Sequence, residues 1–162
     1  MNMPGTMHGP EPKIREATAA DMDTIMRHRR QMFIDMGYKD ESALNAMKST
    51  SVPFIRACLA SGSFREWFVE MGGKVVAGGG LIVLEFPSSP RDQSTRRAWI
   101  INMYTEPEYR GRGLATSLME TMIIWCREQG FKWVSLHASD AGRSLYEALG
   151  FKPTNEMRLM LK

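Results

Sequence analysis

Ile100-Ile101-Asn102-Met103-Tyr104-Thr105-Glu106-Pro107-Glu108-Tyr109-Arg110-Gly111-Arg112-Gly113-Leu114-Ala115-Thr116 is the stretch on which the reading of this chain turns. An apolar run ends in Met103-Tyr104-Thr105. A short acidic turn carries Pro107, and Arg110-Gly111-Arg112-Gly113 leads into a helical pattern opening at Leu114. A strand that feeds a glycine-rich turn into a helix N-terminus makes an anion site. The first helical N–H groups lack partners, and the helix dipole favours negative charge there. Glycine lets the backbone approach a phosphate with no Cβ in the way. Two arginines flanking the glycines suit a pyrophosphate better than a carboxylate.

Three loop types compete for this turn. The phosphate loop of nucleoside triphosphatases requires a lysine after its last glycine, and none follows Gly113. The dinucleotide fingerprint requires a third glycine and an acid about twenty positions on. Here Thr116 stands at the third position, and Trp133 to His137, the next expected strand, carries no acid. The acyl-CoA loop, Arg/Gln-x-x-Gly-x-Gly/Ala, is matched at each defined position by Arg110, Gly113 and Ala115. Further on stands Leu145-Tyr146-Glu147-Ala148-Leu149-Gly150-Phe151. With both motifs, in this order and at this spacing, the chain resembles the GNAT superfamily of N-acetyltransferases from about Lys13 to Leu161.

The 162 residues suffice for one domain with one good core. Residues 1–12 hold Pro, Gly and one His without a hydrophobic signal core and read as a flexible tail, leaving 13–162 as the domain. The net charge is +3, and Arg29-Arg30, Arg96-Arg97 and the loop arginines are separate pairs rather than a basic stripe. A nucleic-acid partner is therefore not expected. No apolar run approaches the roughly 18 residues of a membrane helix, so no membrane partner is expected either. His8, His28 and His137 are scattered, and no metal site is expected. Cys58 and Cys126 read as buried reduced thiols of a cytoplasmic protein.

The remaining pattern is a mixed α/β order. Lys13–Ala17 reads as a strand, with Thr18 as N-cap of a helix from about Asp21 to Gly37. A second helix is expected over Pro53–Ala60. Phe64–Met71 and Lys74–Phe86 read as strands about a Gly72-Gly73 hairpin, and Gly78-Gly79-Gly80 predicts a bulge or a close backbone approach. Pro87–Thr95 is a loop. Arg97–Tyr104 is a strand, Gly113–Glu128 a helix, Trp133–His137 a strand, Ala141–Leu149 a helix, and Phe151–Leu161 the last strand region. Hairpins followed by strand-helix-strand-helix-strand give a mixed sheet with helices on both faces. The resemblance implies a GNAT-like domain with a mostly antiparallel sheet, splayed where CoA binds.

The resemblance also implies the chemistry: acetyl-CoA as cosubstrate and a primary amine, on a small molecule or on a peptide or protein, as acceptor. A homodimer is left open. The pyrophosphate falls to the N–H groups of Gly111, Arg112, Gly113, Leu114, Ala115 and Thr116, with charge from Arg110 and Arg112. The backbone of Met103, Tyr104 and Thr105 polarises the thioester where this strand and the next part. Tyr146 occupies the position whose tyrosine protonates the leaving thiolate in relatives. Ser139 stands where many relatives carry an asparagine that contacts the cofactor. The glutamate that serves many relatives as base is missing: Trp99 and Ser135 occupy those positions. His137, whose unperturbed pKa near 6.5 suits proton removal, and Glu85 are the candidate bases. A water chain with no dedicated base stands beside them, and Asn102 is a candidate to orient the amine or a water. The alternative function is a catalytically silent module that senses acyl-CoA.

Overall fold

The computed structural model describes residues 10–161, so most of the 1–12 tail lies outside the described residues. Strand β1 (Lys13–Glu16) ends where the Thr18 N–H and hydroxyl both donate to Asp21 Oδ2, at 2.8 and 3.1 Å. Arg15 donates to both Asp21 oxygens and holds that carboxyl down at about 2. A single 3₁₀ turn, Ala19–Asp21, passes into α1 (Met22–Asp35), whose Met22, Ile25 and Met26 are buried as their spacing predicts. Gly37, at φ 98°, lets the chain turn away after the helix.

The second helix is much longer than its sequence signals suggest. α2 runs Glu41–Ser61, capped by Asp40, whose carboxylate accepts the Ala43 N–H at 3.1 Å. Pro53 lies inside this helix rather than at its first turn, with its ring on the exposed side. α2 closes at Gly62, φ 75°.

β2 (Phe64–Met71) and β3 (Lys74–Glu85) form the expected hairpin, with Gly72 and Gly73 both at positive φ. β4 (Arg96–Thr105) follows the Pro87–Thr95 loop, then α3 (Leu114–Glu128), β5 (Val134–Leu136) and α4 (Arg143–Ala148). The strand order is β1-β2-β3-β4-β5, antiparallel except for the parallel β4–β5 pair. One face of the sheet buries Val69, Val76, Leu81 and Ile100 in one cluster with Leu118, Met119 and Met122 of α3 and Tyr146 of α4. The other buries Phe64 and Phe68 in one cluster with Ile25 and Met26 of α1 and Ile55 of α2.

The bulge expected at the triple glycine is present, but its extra residue is in β4. Gly78 pairs with Tyr104 and Gly80 with Ile101, so two steps on β3 face three on β4. The glycines meet the second expectation, close approach. A Cβ on Gly79 would lie 2.5 Å from Met103 Sδ, and one on Gly80 would lie 2.9 Å from the Phe64 ring.

The last strand region is a correction. Among the described residues Phe151–Leu161 forms no strand. Phe151 packs into the α3–α4 core, but nothing pairs with the backbone beyond it, and the outer edge of β5 carries no strand.

Candidate active site

The glycine-rich turn builds a cradle of donors. Pro107–Tyr109 makes one 3₁₀ turn, and Gly111 and Gly113 then adopt φ 73° and 77° with open space where a Cβ would stand. The first bond of α3 runs from the Ser117 N–H to the Gly113 carbonyl at 3.0 Å. The N–H groups from Gly111 to Thr116 therefore meet no protein acceptor among the described residues. Consecutive free donors at a helix N-terminus form a nest for phosphate oxygens. The arginines chiefly brace this loop. Arg110 Nε donates to the Thr105 carbonyl at 2.9 Å and its Nη2 to Asp35, while Arg112 Nη2 donates to the Glu108 carbonyl at 2.9 Å.

The sheet parts beside this cradle. β4 and β5 pair only from Ala98↔Val134 to Ile100↔Leu136, and β4 then continues to Thr105 with no strand on that side. Within this free end Asn102 holds φ 59°, in the left-handed region that asparagine tolerates better than most residues. The bulge sets the facing of its neighbours. Met103 packs toward α3 over Gly79, whereas Asn102 and Tyr104 face α1.

Tyr146, on α4, belongs to the same core cluster as Leu114, the first residue of α3. It is buried, its hydroxyl makes no hydrogen bond among the described residues, and burial raises its pKa. The hydroxyl thus remains a proton donor at neutral pH. Gly142 leaves room for the ring: a Cβ there would lie 2.8 Å from a ring carbon. Ser139 holds the turn that leads into this helix. Its Oγ accepts the Gly142 N–H at 3.2 Å, and its carbonyl accepts from Gly142 and Arg143 at 3.1 and 3.0 Å.

The candidate bases are not gathered here. His137 is exposed, stacks edge-on against Trp99 with centroids 4.9 Å apart, and sets Nε2 3.0 Å from Glu156. Glu85 is exposed opposite Arg96, eight residues up β4 from Tyr104, roughly 26 Å along the strand. Five acidic side chains are likewise engaged within the protein. Asp35 pairs with Arg110, Glu41 with Arg30, Asp92 with Arg97, and Glu106 with Arg27, while Asp40 caps α2.

The structure adds a buried polar group beneath α1. Glu66 is fully buried in β2, and Asn102 Nδ2 donates to its Oε2 at 3.2 Å. Arg29 Nη1 donates to Asn102 Oδ1 at 2.6 Å, so Asn102 bridges the two charge-bearing groups and is anchored at the bulge. Burial pushes the Glu66 carboxyl up to about 8, protonated at neutral pH. His28, beside Tyr104 with ring centroids 5.0 Å apart, is neutral: burial lowers its pKa to about 4. Glu66 had a sequence signal, since period two places it on one face with Phe64 and Phe68. His28 follows Ile25 by three positions, which is helical spacing.

The solved structures fix the class of fold. The chain superposes on a GCN5-related N-acetyltransferase from Ralstonia eutropha JMP134 with a TM-score of 0.87 and 34% identity, covering 93% of this chain and 99% of that one. A predicted acetyltransferase from Clostridium acetobutylicum, solved with acetyl-CoA, gives a TM-score of 0.86 at 26% identity, over 93% and 96% of the two chains. The model of the acetyltransferase (GNAT) family matches residues 26–151, and the chain belongs to this family. Among curated relatives it is 34% identical over 100 residues to the mouse (Mus musculus) probable N-acetyltransferase family 8 member 5, 60% of this chain and 41% of that protein. The chain thus spans about two fifths of the length of that relative. No helix among the described residues is long and apolar enough to cross a membrane.

Proposed function

We propose that this chain, one domain over residues 13–162, is an acetyl-CoA-dependent N-acetyltransferase that acts on a primary amine by direct attack. The observation that carries this reading is the run of unpartnered N–H groups from Gly111 to Thr116. It opens beside the free end of β4. These donors fit a pyrophosphate, and acetyl-CoA bound there supplies the activated acetyl group. The backbone of Met103, Tyr104 and Thr105, released from strand pairing, is placed to donate to charge developing on an acyl oxygen. Such a donor contributes on the order of 3 kcal/mol. The Tyr146 hydroxyl holds its proton for the leaving sulfur.

No side chain is assigned as base. With His137 held against Glu156 and Glu85 at the far end of the sheet, the ammonium proton leaves through water. The acceptor is an amine of a small molecule or of a peptide or protein. Two unpaired cysteines, Cys58 and Cys126, suit a cytoplasmic setting.

Gly113→Asp tests the site. It puts a side chain at positive φ and a negative charge into the cradle. Calorimetry should show CoA binding by the parent, little affinity for NAD, and loss of CoA binding in the folded variant. Unchanged CoA affinity in Gly113→Asp would remove the loop as the site. The same scattering of candidate bases favours a second reading, a domain that binds acyl-CoA without turnover. Acetyl-CoA-dependent thiol release with an amine panel separates the two.

A further inference from the structure

Among the described residues Asn102 alone, glycine aside, holds a positive φ. Its side chain is buried, 1% exposed, and held at both ends. Oδ1 accepts from Arg29 of α1 at 2.6 Å, and Nδ2 donates to Glu66 of β2 at 3.2 Å. The middle of β4 is thus gripped by a helix on one hand and by a strand two places away in the sheet on the other.

The grip falls inside the bulge. Asn102 and Met103 stand between Ile101 and Tyr104, while Gly79 alone stands between their partners Gly80 and Gly78. A bulge locally interrupts the ladder that fixes peptide planes elsewhere in a strand. The planar peptide unit after Asn102 carries the Met103 N–H. With φ at 59° and the side chain tied at both ends, that plane has little freedom to turn. β3 makes room for the grip. Gly80 pairs with Glu66 on one side and with Ile101 on the other, and a Cβ there would lie 3.2 Å from Glu66 Oε2. Glu66 and Asn102 meet across the strand because this position has no side chain.

The arrangement weakens the fold. Glu66 is fully buried, and neither its Oε1 nor Arg29 Nε has a partner among the described residues. Polar groups buried and half satisfied are worse for stability than apolar packing of the same volume. What they supply here is a single fixed geometry at the free end of β4. We propose that Arg29 and Asn102, anchored on Glu66, clamp the bulge so that the Met103 N–H points at the acyl oxygen. Arg29 and Asn102 are then positioning residues, acting through the backbone of β4. This role rests on the acetyltransferase reading above.

Two readouts test the clamp: the Met103 amide proton resonance with CoA and with acetyl-CoA, and kcat from thiol release. The ligands differ by the acetyl group, so the difference between the two resonances reports the contact with the acyl oxygen. In the parent, acetyl-CoA should move the resonance downfield of its position with CoA. Asn102→Gly keeps access to the left-handed backbone and loses both side-chain bonds, and Arg29→Met loses one. In each the acetyl-dependent shift should shrink and kcat should fall by about 10–100-fold. CoA affinity, set by the cradle at 111–116, should stay near the parent's in calorimetry. Arg29→Lys, which can still donate to Asn102, should recover most of the shift and the rate. A role in stability alone would lower the melting temperature of the variants and leave the shift and kcat of the folded protein intact, and the clamp would then be rejected. A loss of kcat without a change in the shift also rejects it, as does a parent whose Met103 amide does not distinguish the two ligands. A clamp-dependent shift in a parent that releases no thiol with any amine would uphold the clamp and remove the acetyltransferase reading.

Discussion

Tyr146 and Glu66 are both buried and both protonated at neutral pH, yet they serve the account differently. The Tyr146 hydroxyl has no hydrogen-bond partner among the described residues, which leaves it open to a ligand. Tyr146→Phe should cut turnover by about 10²–10⁴-fold, the range of a positioned acid, while CoA affinity measured by calorimetry changes little. Wild-type turnover would leave Tyr146 a packing residue. Glu66 affects stability instead. Its carboxyl titrates from 4.5 in the unfolded chain to about 8 in the fold. Below the lower value both states hold the proton. As pH rises from there the unfolded chain releases it first, so stability falls until the folded state also ionises. Glu66→Gln escapes this loss and can still accept from Asn102. Its melting temperature should gain on the parent's between pH 5 and pH 8. An equal difference at both would mean that Glu66 is already ionised in the fold. His137→Gln and Glu85→Gln should each cost less than about tenfold in rate, with a pH profile rising toward the pKa of the amine itself. If His137→Gln removes an apparent pKa of about 6–7 and costs over a hundredfold, His137 is the base.

At the scale of elements, Pro53 explains the largest misreading. Proline favours the first turn of a helix, so the sequence suggests a start at Pro53. Asp40 is the real cap, and the twelve residues from Glu41 to Val52 precede the proline. An exposed mid-helix proline removes one rung and crowds the preceding turn. Pro53→Ala should therefore stabilise the fold by about 1–3 kcal/mol in chemical denaturation. No gain would mean that α2 accommodates the proline without cost. The glycine turn, the Gly72-Gly73 hairpin and the Leu145–Phe151 motif were legible because local geometry demands those residues. The β4 bulge was legible only from the glycines across from it, since Asn102 itself carries no such mark. The Arg29–Asn102–Glu66 group joins three elements, and sequence periodicity could place Glu66 on a core face without naming its partners. Phe151–Leu161 has a strand-like composition yet forms no strand among the described residues, because pairing is not a property of the segment alone.

The whole molecule divides its work between the faces of one sheet. α3 and α4 bring the donor cradle and Tyr146 to one side of the free end of β4, while α1 braces it from the other through Asn102 and Arg110. β4 and β5 pair over only three residues, which leaves the rest of β4 unpaired on the side of the cradle. The proposed function stands or falls on acetyl transfer at that free end. Its most direct test is thiol release from acetyl-CoA with a panel of amines, with the acetylated product identified by mass. Release should depend on the amine, with one acetyl group transferred per thiol, and Gly113→Asp should give none. Tight acetyl-CoA binding with no release for any amine would contradict it and leave the chain a sensor.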